Sequence, residues 1–123
     1  MARILVVEDE ESIRLLYQQE LEARGHDVLT ASDGRTAVDT AREEHPDLVI
    51  MDINLPENID GIESMSKILG ENKDIPVIIS SGYSQYKSNF MAWAAEAYIL
   101  KSADLGPLME AVERALARRP NAG

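Results

Sequence analysis

The chain has 123 residues, 45% of them hydrophobic, a formal net charge of −10 and no cysteine. That length suits a single domain, and the missing thiols exclude disulfides, zinc-thiolate sites and thiol catalysis. No apolar run reaches the length of a membrane span or a signal-peptide core, and the acidic balance argues against direct nucleic-acid binding, which needs a basic surface to displace counterions. The simplest reading is a soluble cytoplasmic protein suited to cations or to the basic patches of a partner.

Along the chain, short apolar runs alternate with helical patterns. Ile4-Leu5-Val6-Val7 is continuous rather than alternating, as in a strand covered on both faces. Ile13, Leu16, Tyr17 and Leu21 recur at helical spacing, and Gly25 is the stop signal behind them. Val28 to Ala31 is a weaker strand. Ser32 or Asp33 caps a second helix with Ala37, Val38 and Ala41 inside, and His45-Pro46 ends it. Leu48 to Met51 is the third strand. Ile62, Met65, Ile68 and Leu69 mark a third helix, ending near Gly70. Pro76 precedes the fourth strand, Val77 to Ile79. Residues 84–95 read as a fourth helix without a strong amphipathic pattern, and Tyr98 to Leu100 is the fifth strand. Leu105, Leu108, Met109, Val112 and Leu116 give the clearest amphipathic helix of the chain.

Five strands alternating with five helices predict an α/β fold, a doubly wound parallel sheet with helices on both faces. Sites in such sheets form beyond the carboxyl ends of the strands, where the strand order reverses. For a five-stranded order 2-1-3-4-5, that point lies between the first and third strands. These two end in acids: Glu8, Asp9, Glu10 and Glu11 after the first, Asp52 after the third. Glu8, Asp9 and Asp52 are therefore expected at one rim.

Three ionised carboxylates roughly 5 Å apart would repel by about 3 kcal/mol per pair at an effective dielectric near 20. A proton or a cation must relieve this, and oxygen ligands without His or Cys suit a hard ion such as Mg²⁺. The fourth strand is followed by Ser80, Ser81 and Gly82, and the fifth by Lys101. Acids, a lysine and a hydroxyl on one rim form a constellation for phosphoryl chemistry, with a carboxylate as possible acceptor. Asp52, ending the central strand, is best placed for that role.

Together, ILVVEDE at 4–10, DLVIMDINLP at 47–56, DGIE at 60–63, PVIISSGYS at 76–84 and AYILK at 97–101 resemble a response-regulator receiver domain over residues 2–118. The resemblance implies that Asp52 accepts a phosphoryl group from a histidine kinase or phosphotransfer protein. It implies that Asp9 binds Mg²⁺ directly, Glu8 through water, and Asn54 through its backbone carbonyl. Ser81 then matches the switch hydroxyl, Tyr98 the switch aromatic, Gly82 a small residue beside the acceptor, and Lys101 the phosphate-pairing lysine. Partners in the family read the state from the surface of the fourth helix, fifth strand and fifth helix. By this reading residues 1–119 form the receiver and 120–123 a flexible tail. No output domain is visible, so the sequence is either a stand-alone regulator or part of a longer protein.

Three departures stand out. Ser102 follows Lys101 where the family usually has proline, which puts the usual cis bond in question and with it the position of Lys101. The run from Pro56 to Gly61 is one residue longer than usual. The fourth-helix region carries Tyr86, Phe90 and Trp93 in place of a clear apolar stripe.

Plainer readings exist for each residue alone. The first acids favour the positive end of a helix, Asp52 could form a turn with Pro56, Lys101 could be a solvated surface residue, and Tyr98 could merely pack. Three competing functions follow. A flavodoxin-like cofactor binder needs a phosphate loop where EDEE stands. An aspartyl phosphohydrolase usually places its nucleophile after the first strand in a DxD pattern. A receiver-like domain acting by protein contact alone would not need Asp9, Asp52, Ser81 and Lys101.

Overall fold

The computed structural model describes residues 2–52, 61–82 and 95–118, with backbone alone at 61 and 62. Its elements in chain order are β1 (Arg3–Val7), α1 (Glu11–Ala23), β2 (Asp27–Ala31), α2 (Gly34–Glu44), β3 (Leu48–Asp52), α3 (Gly61–Glu71), β4 (Val77–Ser81), β5 (Ala97–Leu100) and α4 (Gly106–Ala117). Helix α4 is the last helix expected from the sequence. The stretch 84–95 lies, but for Ala95, outside the described residues, as do Asn54, the loop from Pro56 to Asp60 and the tail.

All strand pairs are parallel, and the order is β2-β1-β3-β4-β5, as expected. β3 and β4 are buried at every residue, whereas the edge strands β2 and β5 are only partly covered. That is why the central runs read as continuous apolar sequence and β2 does not.

Alternate strand residues feed two cores. Ile4, Val6, Leu48, Ile50 and Ile78 meet Tyr17 and Leu21 of α1 and Leu108, Met109 and Val112 of α4. Leu5, Val7, Val49, Met51, Val77 and Ile79 meet Ala37 and Val38 of α2 and Met65 and Ile68 of α3. Each such fully buried Val, Leu or Ile contributes about 1.5–3 kcal/mol. Leu16 departs from expectation: it is 44% exposed, like Leu15 at 48%. Ile13, Tyr17 and Leu21 follow one another at i, i+4 and i+8 and fill the inner stripe, which turns Leu16 outward.

The helix ends have local causes. Gly25 adopts φ 91°, which only glycine takes without strain, while Gly25 N–H and His26 N–H donate to Glu22 O and Leu21 O behind α1. Of the two candidate caps for α2, Asp33 is the one used: its Oδ1 accepts from Thr36 N–H at 2.7 Å. His45 closes α2 in the left-handed region at φ 51° before Pro46. Ahead of α4, Ser102 Oγ accepts from Asp104 N–H at 3.1 Å and Asp104 Oδ1 from Gly106 N–H at 2.9 Å. These two turns, with Pro107 in the first helical turn, fix the entry to α4.

Candidate functional site

The site lies at the carboxyl ends of β1, β3 and β5, where the order reverses. Backbone hydrogen bonds carry the ladder past β1 and β5: Glu8 N–H donates to Ala31 O at 3.0 Å, and Lys101 N–H to Ser81 O at 2.7 Å. Glu8 and Lys101 are thus held as rigidly as strand residues. Asp52 is the last residue of β3 and is itself in the strand.

Lys101 Nζ lies 3.1 Å from Glu8 Oε1 and 3.3 Å from Asp52 Oδ1. Both carboxylates are 1% exposed. No cis peptide bond occurs among the described residues, so Lys101–Ser102 is trans, and the lysine nevertheless reaches both acids. Glu8 is further held by Glu10 N–H, which donates to its Oε2 at 3.2 Å, and Arg14 Nη1 donates to its backbone oxygen at 2.9 Å. Its Oε1 is buried and accepts no well-aligned hydrogen bond, although the Lys101 ammonium lies 3.1 Å away.

Charge follows from this packing. Burial, and then the neighbouring charge of Asp52, pushes Glu8 up to about 7, against the opposing pull of Glu10 N–H and Lys101. For Lys101, burial alone would lower the pKa, but Asp52 and Glu8 outweigh it and the ammonium is held above its usual value. Asp9 completes the group. Its carboxylate is exposed, and one oxygen from each of Glu8, Asp9 and Asp52 lies within 4.8 Å of the others. With all three acids ionised, Lys101 balances one charge and leaves two, which matches a divalent cation. The donor set is all oxygen, and Glu8 offers a buried atom without a good partner, so these residues fit Mg²⁺.

The family model for the response regulator receiver domain matches residues 4–113. The chain belongs to the response-regulator receiver family. The regulatory protein AtoC of Escherichia coli is 34% identical over 116 residues, which cover 93% of this receiver and 25% of AtoC. PdtaR of Mycobacterium tuberculosis is 34% identical over 94% of this receiver and 57% of its own length. The receiver therefore spans a quarter to just over half of these curated relatives. The crystal structure of the response regulator TrrA from Thermotoga maritima with Mg²⁺-BeF superposes with a TM-score of 0.87 at 39% identity, covering 94% of this chain and 99% of TrrA. TrrA in complex with the histidine kinase ThkA gives 0.85 at 40% identity, again over 94% and 99%. The receiver is thus a signalling module with an acidic pocket, not a conventional enzyme.

The remaining residues singled out in the sequence are placed as follows. Ser81 is fully buried at the end of β4, and Tyr98 of β5 is buried in the α2–α3 core. By strand alternation both lie on the face opposite Asp52, which follows Ile50 and Leu48 toward α1 and α4. At Gly82 an added Cβ would meet nothing within 4 Å among the described residues. Asn54 lies outside them. Among the described residues no helix is long and apolar enough to cross a membrane.

Sequence reasoning missed one polar contact. Tyr17 Oη and Ser80 Oγ are hydrogen-bonded at 3.0 Å in the interior between α1 and β4. Burial, above all, raises the Tyr17 phenol above its ordinary value, so it stays protonated. The signal was present: a tyrosine at an inner helical position, and a serine that extends an apolar strand run.

Proposed function

We propose that this receiver takes a phosphoryl group on Asp52 from a histidine kinase or phosphotransfer protein. The observation that carries the reading is the Lys101 ammonium, 3.3 Å from Asp52 Oδ1, beside two further carboxylates able to hold a divalent ion. In the transfer, a carboxylate oxygen of Asp52 bonds to phosphorus as the donor's P–N bond breaks. Lys101 is placed to shift from the carboxylate to a phosphoryl oxygen, so charge balance is kept. Glu8, Asp9, Asp52 and the backbone of Asn54 would hold Mg²⁺, which when bound neutralises phosphoryl charge. The solved complexes of TrrA with Mg²⁺-BeF and with a histidine kinase support the same chemistry here.

In this reading Ser81 and Tyr98 relay the phosphorylated state to the surface formed by the fourth helix, β5 and α4. A protein partner reads that surface. Residues 1–119 act as the receiver unit, and the setting is cytoplasmic.

Intact mass after incubation with acetyl phosphate tests the proposal. The expected result is a hydrolysable adduct that needs Mg²⁺ and is absent from Asp52→Asn. An adduct retained in Asp52→Asn would move the acceptor elsewhere. Failure of both phosphorylation and beryllofluoride binding would leave a domain acting by protein contact alone.

A further inference from the structure

Glu8 and Asp9 are joined by one peptide unit, and that planar unit sets how the two acids stand to each other. Its carbonyl, Glu8 O, lies just past the end of β1 and accepts a hydrogen bond from Arg14 Nη1 at 2.9 Å. Arg14 stands in the first turn of α1, where side chains lean back toward the helix N-terminus. One guanidinium thus bridges the start of α1 to the peptide between two of the three acids of the rim.

The other contacts of the turn leave that peptide to Arg14. Glu8 N–H donates to Ala31 O, and Glu8 Oε2 accepts from Glu10 N–H. Glu10, at the cap position of α1, makes no side-chain cap hydrogen bond. Asp9 is exposed, and its carboxylate makes no hydrogen bond or ion pair with another described residue. The direction of Asp9 therefore depends on the backbone behind it, and Arg14 is the side chain that reaches from the helix to hold that backbone. The place is otherwise a poor one for a cation, because the first turn carries the positive end of the helix dipole, and Arg14 makes no ion pair among the described residues. Resting on the metal-dependent phospho-acceptor reading above, we infer that Arg14 is a positioning residue: it holds the Glu8–Asp9 peptide so that the two carboxylates meet Mg²⁺ together, and it thereby sets the metal affinity of the site.

Two effects of this side chain oppose each other. As a charge close to the acids, the guanidinium weakens their attraction for a cation. As a charge-assisted donor to Glu8 O, it keeps the acid pair ordered before a metal arrives, so less freedom is lost on binding. Positioning is the larger of the two. Removing Arg14 therefore weakens Mg²⁺ binding even though it makes the rim more negative.

The test compares wild type, Arg14→Met, Arg14→Lys and, as a variant destabilised elsewhere, Asp33→Ala. Calorimetric Mg²⁺ titration without a phosphodonor reads affinity, denaturant titration in EDTA reads stability, and intact mass with acetyl phosphate over a Mg²⁺ series reads uptake. Arg14→Met keeps an unbranched stem and loses the donor. It should bind Mg²⁺ about 10-fold more weakly, at the low end of what partners of metal ligands carry, because the lost charge works the other way. Arg14→Lys keeps one charged donor and should lie between it and wild type. Half-maximal uptake should move to higher Mg²⁺ by the same factor, while the rate at saturating Mg²⁺ changes little. Asp33→Ala should bind Mg²⁺ as wild type does. Unchanged or tighter binding by Arg14→Met would overturn the inference, since charge alone predicts the tighter result. So would an equal loss of affinity in Asp33→Ala, which would make stability the cause. A wild type that bound no Mg²⁺ would remove the function proposed above and the inference together; a wild type that binds while Arg14→Met matches it removes the inference alone.

Discussion

Lys101 bridges Glu8 and Asp52, with its ammonium 3.1 Å from one buried carboxylate and 3.3 Å from the other. It crosses from the end of β5 to the ends of β1 and β3, so a single side chain ties together three strands and offsets one of the two negative charges buried there.

Replacing Lys101 by alanine removes the counter-charge and leaves the two acids facing each other. Breaking a fully buried pair typically costs about 3–5 kcal/mol. Lys101 is 24% exposed, and Glu8 can take up a proton, so the expected loss is smaller, about 1–3 kcal/mol at neutral pH. Denaturant titration at pH 7 should show it, and either Mg²⁺ or a shift to pH 5 should restore part of it. A variant as stable as wild type under metal-free conditions would mean that the lysine contributes nothing to holding the acids. Phosphoryl response should suffer more than folding does.

A second expectation concerns pH. Glu8 rises from 4.5 to about 7 in the fold, so the folded protein keeps a proton that the unfolded chain releases. Below pH 4.5 the group is protonated in both states and its contribution is fully present. Stability is then lost as pH rises from about 4.5 to about 7. In EDTA the Glu8 contribution should fall over that window, and Glu8→Gln should flatten the profile. Mg²⁺ needs the ionised carboxylate, so its affinity should increase with pH through about 7. Identical profiles for wild type and Glu8→Gln in EDTA would show that the fold does not raise Glu8 above the value it has in the unfolded chain.

Much of this was legible in the sequence because it depends on period and punctuation. Continuous apolar runs named the central strands, and their acid ends named the rim. Gly25 and His45-Pro46 stopped α1 and α2 where the structure stops them. The limits were equally physical. Leu16 fits the helical spacing but sits on the shoulder of the stripe, and apolar identity alone cannot separate shoulder from centre. Ser32 and Asp33 are both good caps, and only the 2.7 Å bond to Thr36 N–H decides between them. Tyr17 and Ser80 are 63 residues apart; the inner position of one and the strand position of the other mark each as buried, but nothing local pairs the two hydroxyls. The trans Lys101–Ser102 bond leaves the lysine at the acids because the ladder to Ser81 O fixes its backbone first.

The cap of α2 offers a control away from the site. Asp33 Oδ1 accepts from Thr36 N–H, and this bond, foremost, lowers the Asp33 pKa. Asp33→Ala should cost about 1 kcal/mol, within the usual range for a lost cap. The contribution is present at neutral pH and fades in acid as the carboxylate protonates. Chemical denaturation at pH 7 and at pH 3 reads both, the difference from wild type shrinking at the lower pH. A cost unchanged between the two would mean that the helix draws on the side chain's shape rather than its charge. Phosphoryl uptake should be untouched.

Asp52→Asn separates the two jobs of the central acid. The substitution is nearly isosteric and removes one of the like charges that burden Glu8. The metal-free variant should therefore be at least as stable as wild type at pH 7, with a gain of about 1 kcal/mol. Mg²⁺ affinity should fall, because the ligand group loses one of its three carboxylates. Phosphoryl uptake should vanish, since an amide is no nucleophile toward phosphorus. Thermal midpoints in EDTA, a Mg²⁺ titration and intact mass with acetyl phosphate measure the three effects independently. A variant clearly less stable than wild type in EDTA would show that Asp52 gains more from Lys101 than it loses to Glu8. The charge balance of the site would then run in the opposite sense, with the lysine and not a cation as the dominant partner of the acceptor.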